Sequence, residues 1–234
     1  MKKILPILAL FACTFASCDD SEYEVHQTYF TPTSPQGKIL YADQTADSVR
    51  VISYDPWTSN LDFESEEWFT ITPTKCDFVN SQNVSNTRLD ITASPNNTNK
   101  IREGLIAINS YYSIGMSVYQ MSWLNIQSPI GRTITTDENG EPLNSKEQYC
   151  IFEGSVSDKK NQFDIVFTTY AQEASLSTEA EWITLSNDTF AAGTHTVTTI
   201  CEANPLKEER IAHIKLTSNG ITTPITIYQE RKRD

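Results

Sequence analysis

Apolar residues along this chain come in short alternating runs, bounded by Asn, Asp, Ser, Thr, Gly and Pro, and sustained helical periodicity is scarce. Alternation with period two places successive side chains on opposite faces of a strand, so the pattern predicts antiparallel β structure. The runs predict strands at 38–42, 48–54, 68–72, 88–93, 104–109 and 114–120. After a gap they predict 163–169, 182–185, 194–201, 212–217 and 223–229. In the last run of each set, Ile114, Met116, Val118 and Gln120 share one face, as do Ile225, Ile227 and Gln229. A glutamine in phase with core residues is tolerated only if its amide satisfies buried backbone groups, so Gln120 and Gln229 are expected to do that.

The two sets are copies. Glu67-Trp68-Phe69-Thr70-Ile71, Asn96, Arg102, Ile106, Ile108 and Val118-Tyr119-Gln120 recur as Glu181-Trp182-Ile183-Thr184-Leu185, Asn204, Arg210, Ile214, Leu216 and Ile227-Tyr228-Gln229, at offsets of 108 to 114. A period of this size is a domain, longer than the units of solenoids. Trp68 and Trp182 are expected in the cores. Arg102 and Arg210, each after a polar turn, are expected to pair with nearby carboxylates at strand entry. Pro224 cannot donate to a ladder and marks an edge or a strand start. The copies differ most at about 127–161, where the second carries an insertion containing Asn139-Gly140, a hairpin-turn signal. Trp123, at the junction, is expected to pack the two domains together.

Charge and cysteines narrow the picture. Lys2 and Lys3 precede an apolar run over 4–15 that is too short for a stable membrane anchor and reads as a secretory leader. Phe15-Ala16-Ser17-Cys18 resembles a bacterial lipobox, although Phe15 stands where Leu is usual, and this implies lipidation at Cys18. Asp19, Asp20, Glu22 and Glu24 follow, resembling the export tag of surface lipoproteins of Bacteroidota. The expected address is the outer face of the outer membrane, with a periplasm-facing location as the alternative. Membrane contact is then through the N-terminal lipid alone. The chain carries 18 Lys and Arg against 30 Asp and Glu, a net charge of −12, which disfavours nucleic acid. Cys76, Cys150 and Cys201 are an odd number without clustered spacing, so neither complete pairing nor a metal site is expected.

The repeated Trp-[Phe/Ile]-Thr-[Ile/Leu], the Asn turn, Arg-x-x-x-Ile-x-[Ile/Leu] and the terminal [Val/Ile]-Tyr-Gln resemble the BACON family, Bacteroidetes-associated carbohydrate-binding often N-terminal domains. The resemblance covers 38–120 and 161–229. It implies immunoglobulin-like sandwiches attached to glycan-degrading or adhesive proteins. The expected organisation is all-β: a leader at 1–17, an acidic tether at 18–37, one sandwich at 38–121 and a second at 122–234.

Chemistry for catalysis is thin. His26, His195 and His213 fall in the tether and in strand-like stretches, and no hydrolase, zinc-protease or phosphate-loop motif occurs. The chain is therefore expected to be no enzyme and to carry no cofactor. Sugar binding rests instead on exposed aromatic faces beside amides. Trp57, which has no counterpart in the second copy, and Tyr111 and Tyr112 after Asn109 are the ligand-binding candidates, with ordinary turn or core aromatics as the alternative. Glycans, or protein partners held by a surface spacer or adhesin subunit, are the expected partners.

Overall fold

The computed structural model describes residues 26–31, 37–62, 65, 67–77 and 84–233. The leader and Cys18 lie outside them. The described residues form four sheets arranged as two β-sandwiches. The first comprises β1 (Thr28–Thr31), β2 (Lys38–Leu40), β3 (Ala46–Ser53), β4 (Trp57–Leu61), β5 (Phe69–Thr72), β6 (Lys75–Cys76), β7 (Ser85–Ala93), β8 (Arg102–Asn109) and β9 (Ile114–Gln120). One sheet runs β1-β3-β7-β5, the other β2-β9-β8-β4-β6.

The second sandwich comprises β10 (Asn125–Ser128), β11 (Gly131–Ile134), β12 (Tyr149–Val156), β13 (Asn161–Thr169), β14 (Ala174–Thr178), β15 (Ile183–Leu185), β16 (Thr189–Phe190), β17 (Gly193–Cys201), β18 (Arg210–Ser218) and β19 (Ile221–Gln229). Its sheets run β10-β13-β17-β15 and β11-β12-β19-β18-β14-β16. The two orders superpose strand for strand once β11 is set aside, so the sequence repeat is a repeat of topology. Each closing strand is joined in parallel by an early one, Lys38–Leu40 on β9 and Phe152–Val156 on β19.

Two boundaries shift from the sequence reading. The first sandwich begins at β1, inside the expected tether, because Thr28–Thr31 adds an edge strand to β3. Within 127–161, β12 is the counterpart of β2, so only β11 and the loop from 135 to 148 are additions. In that loop Gly140 takes φ +85°, as an Asn-Gly turn requires. Asp137 there accepts the amides of Asn139 and Glu141, both at 2.8 Å, and this backbone hydrogen bonding holds its carboxyl below the usual range.

Burial alternates as the pattern requires. β19 alternates buried and more exposed residues along its whole length. Phe69, Leu89, Ile91, Ile106 and Ile108 fill the first core, and Phe167, Ile165, Leu176, Ile214 and Leu216 the second. Pro224 lies in the stretch of β19 that pairs with β18 but precedes the start of pairing with β12 at Ile225, so the missing N–H breaks no second ladder.

The polar repeat forms one lock per domain. Gln120 and Gln229 are fully buried. Gln120 Nε2 donates to the carbonyls of Gln44 and Ser94, and its Oε1 accepts from Arg102. Gln229 Nε2 donates to Lys159 and Glu202, and its Oε1 accepts from Arg210 at 2.8 Å. Both arginines thus bond a glutamine amide and backbone carbonyls, a correction to the expected carboxylate pairing. Partial burial lowers both guanidinium pKa values, and neutral amide and carbonyl oxygens supply the acceptors each guanidinium needs there.

The domains are bolted by residues after β2. Ala42, fully buried, joins the second core, and its amide donates to the Trp123 carbonyl at 3.1 Å. Asp43 Oδ2 accepts from Thr169 Oγ1, Ser218 Oγ and the Tyr170 amide at 2.8 to 3.0 Å. Trp123 packs against the second core and, with Ile39, Tyr41 and Met121 from the first domain, lines a hollow of about 330 Å³ at the junction.

Candidate functional site

The β8–β9 hairpin turns through Ser110, Tyr111, Tyr112 and Ser113, and both tyrosines stand 61% exposed. The turn is closed by its own side chains. Ser113 Oγ donates to Asn109 Oδ1 at 3.1 Å, and Asn109 Nδ2 donates to Asn60 Oδ1 on β4 at 2.7 Å. Ser110 Oγ reaches the Pro56 carbonyl at 3.1 Å, tying the tip to the β3–β4 turn.

The rings are fixed as well. Tyr111 and Tyr112 meet edge to face, with centroids 4.8 Å apart. His26 stacks on Tyr111 at 3.8 Å with an interplanar angle of 8°, and His26 Nδ1 bonds Asp55 Oδ1 at 2.9 Å. Asp55 is anchored in turn, since its carbonyl and its amide both engage Ser53 Oγ. Aromatic pairs prefer such offset and edge arrangements, so the tip holds its geometry before any ligand arrives. His26 belongs to this site although its sequence position suggested a tether. No local signal could have found it, because the separation of 29 positions between His26 and Asp55 is bridged only by the fold.

Trp57 is elsewhere. It is 2% exposed, in the first core opposite Cys76 on β6, and presents no face on which a ligand could stack. The expectation of a platform there is corrected: Trp57 opens a strand whose alternation the sequence hid, and the inward phase takes the ring into the core. The copied tryptophans also differ. Trp68 is 8% exposed and in the core, whereas Trp182 is half-buried at the core margin with the Arg210 guanidinium 4.2 Å above its ring.

The other titratable candidates are dispersed. His195 bonds the Ala191 carbonyl and packs against both Phe167 and Phe190, and His213 faces Thr226. Cys201 is fully buried, where burial raises its thiol pKa, as it does that of Cys150. Among the described residues no disulfide joins any two of Cys76, Cys150 and Cys201, and no three of His, Cys, Asp and Glu converge as a metal would need.

Residues 172–230 match the BACON family, described as "Putative binding domain, N-terminal". The match begins just before β14 and ends just after β19. No curated protein matches the chain. Among solved structures, a Bacteroides ovatus GH5 xyloglucanase in complex with a XXXG heptasaccharide is 21% identical over 34% of this chain, with a TM-score of 0.32, and the chain spans 17% of that enzyme's length. The D0-D1 domain of Intimin is 11% identical, covering 88% of this chain and 100% of that one, at a TM-score of 0.29. A tandem of titin Ig domains is 6% identical, covering 89% and 98%, at 0.27.

Proposed function

We propose that the chain is a tandem of two BACON-type modules that captures glycan at the bacterial surface without catalysis, using Tyr111 and Tyr112 as its stacking platform. The observation that carries this reading is the pre-set tip. Two rings, each 61% exposed, are held edge to face, with His26 stacked behind one of them. Pyranose CH groups stack on such faces, and fixing the rings in advance lowers the entropy lost on binding. The amides of Asn60 and Asn109 lie beside the tip to bond hydroxyls. The lipobox-like Phe15-Ala16-Ser17-Cys18 and the acids after it support an acyl anchor at Cys18 and display on the outer leaflet.

Affinity electrophoresis and a glycan array test the capture. Tyr112→Ala is expected to weaken retention at least about tenfold, a loss of about 1.4 kcal/mol, with an unchanged circular dichroism spectrum because the ring is exposed. Equal retention of variant and parent on every glycan bound overturns the platform. Protease treatment of intact cells tests the address, which is wrong if the body is cut only after the outer membrane is breached. The Asp43 bolt favours a second reading, a stiff spacer that holds partners away from the membrane, which failure of all glycan binding would leave standing.

A further inference from the structure

The two domains differ most between their opening strands. Six residues lie between β1 and β2, whereas twenty lie between the counterparts β10 and β12. Those twenty supply β11 and the loop after it, and they draw β12 away from its own sheet. β12 pairs with β19 only from Phe152↔Ile225 onward, and the residue before Ile225 is Pro224, which has no N–H to extend that ladder. The start of β12 pairs instead with β11, from Ile134↔Tyr149 to Gly131↔Phe152. The result is a two-stranded ribbon whose four paired positions span about 10 Å at the usual rise of about 3.4 Å per residue. Leu143 N donates to the Thr135 carbonyl at 2.8 Å to close it, and the 3-10 turn Ser145–Glu147, capped by Asn144, leads the chain back.

The ribbon lands on the first domain. Ser145 Oγ donates to Glu103 Oε2 on β8 at 3.0 Å. Both residues are half-buried, whereas 135–142 in the same loop is exposed throughout. At the root of the ribbon, Gly131, Thr133 and Cys150 share the junction hollow with Ile39, Tyr41 and Met121. Ile39, Tyr119 and Glu103 lie opposite one another across β2, β9 and β8, so root and tip meet one row of the same sheet. Arg102, beside Glu103, is held by Gln120, and the tip therefore meets a strand already fixed in place. In the second domain the matching row is Ser155, Tyr228 and Ile211, and Ile211 is 52% exposed. A carboxylate thus stands where a serine hydroxyl arrives, and an aliphatic side chain stands at the same position of the other copy.

We propose that residues 129–149 are an arm whose docking partner is the first domain, and that the landing of Ser145 on Glu103 fixes the angle between the two sandwiches. Relative motion is the default for domains joined by a small interface. Asp43 gathers its three bonds on one oxygen, so it holds the domains together at a point about which they can turn. A second attachment, carried away from that point on a ribbon, removes the turning. One hydrogen bond at the tip does not hold the domains without Asp43, so the two attachments act together. The arm works whatever the Tyr111–Tyr112 tip binds, and it sets how that tip is presented relative to the second domain.

Amide chemical shifts of the 15N-labelled full chain test the landing, and residual dipolar couplings test the angle. In Glu103→Ala the amides of Ser145, Lys146 and Glu147 are expected to move, although they belong to the other domain. One alignment tensor should fit both sandwiches of the parent. Glu103→Ala and Ser145→Ala, changes at half-buried polar positions, should each lose that common fit and need two tensors of unequal size. Replacing 135–148 with a two-residue turn should do the same, while Glu103→Gln, which keeps an acceptor, should retain the single tensor. Unmoved arm amides in Glu103→Ala overturn the landing. A common tensor that survives both alanine variants and the loop replacement overturns the control of the angle, as does a parent that already needs two.

Discussion

Asn96 and Asn204 are the residues on which each polar lock turns. Asn96, fully buried, gives its amide to the carbonyls of Lys100, Gln120 and Met121 at 2.9 to 3.1 Å, and its Oδ1 accepts the Thr98 amide. Asn204 repeats this with Glu208, Glu230 and Leu206. Removing such a hub strands buried carbonyls, each costing about 1–3 kcal/mol, so Asn96→Ala should lower stability in urea by about 2–4 kcal/mol. A change below about 0.5 kcal/mol, the range of ordinary surface substitutions, would refute the role. Asp158 shows the same economy at the C-terminus. Its buried carboxylate accepts the Arg233 amide at 3.2 Å and pairs with Lys159, and these contacts, the amide first, hold its pKa below the usual value. A carboxyl depressed in the folded state adds stability that is complete above its unfolded pKa and is lost as pH falls through the folded one. The Arg233 amide should therefore keep its folded chemical shift at pH 5 and lose it only below the ordinary aspartate range of about 3.9. Release at pH 5 would exclude the carboxylate as the clasp.

At the level of elements, the addition to the second domain is separable from its sandwich. β11 pairs with β12 from Gly131↔Phe152 to Ile134↔Tyr149, and the loop beyond holds a 3-10 turn, Ser145–Glu147, none of whose residues is buried. Replacing 135–148 with a two-residue type I′ turn should leave the melting temperature of the second domain within about 4 °C, the shift expected for roughly 1 kcal/mol in a domain of this size. A larger fall would mean that the loop carries core packing the present contacts do not show. The eleven strands expected from alternation all form, most of them longer at their ends. Strands β1, β4, β6, β10, β11, β12, β14 and β16 went unread for two reasons. Those of two to five residues offer too few positions to show a period, and β12, though longer, mixes burial along its length. Missing β4 is what let Trp57 pass for a platform.

For the whole molecule, Asp43 decides whether two sandwiches behave as one body. Three donors from the second domain converge on one oxygen of a side chain from the first. Asp43→Ala leaves the Tyr170 amide without its acceptor and should cost about 1–3 kcal/mol of stability. It should also lower the 15N-derived rotational correlation times of the two domains toward those of separate bodies. Unchanged correlation times would show that Ala42 and Trp123 suffice to hold the junction.

The all-β class, the duplication, the strand phases and the structural role of Gln120 and Gln229 are legible in the chain alone. These follow from period-two alternation and from repetition, both of which are local or self-referential signals. That His26 backs Tyr111, that Asp43 reaches into the other domain, that Arg102 and Arg210 bond neutral amides, and that Ser65 accepts the Leu105 amide came only with the fold. Each of these joins residues far apart in the chain, and what a side chain meets across a sandwich is set by register and by loop length together.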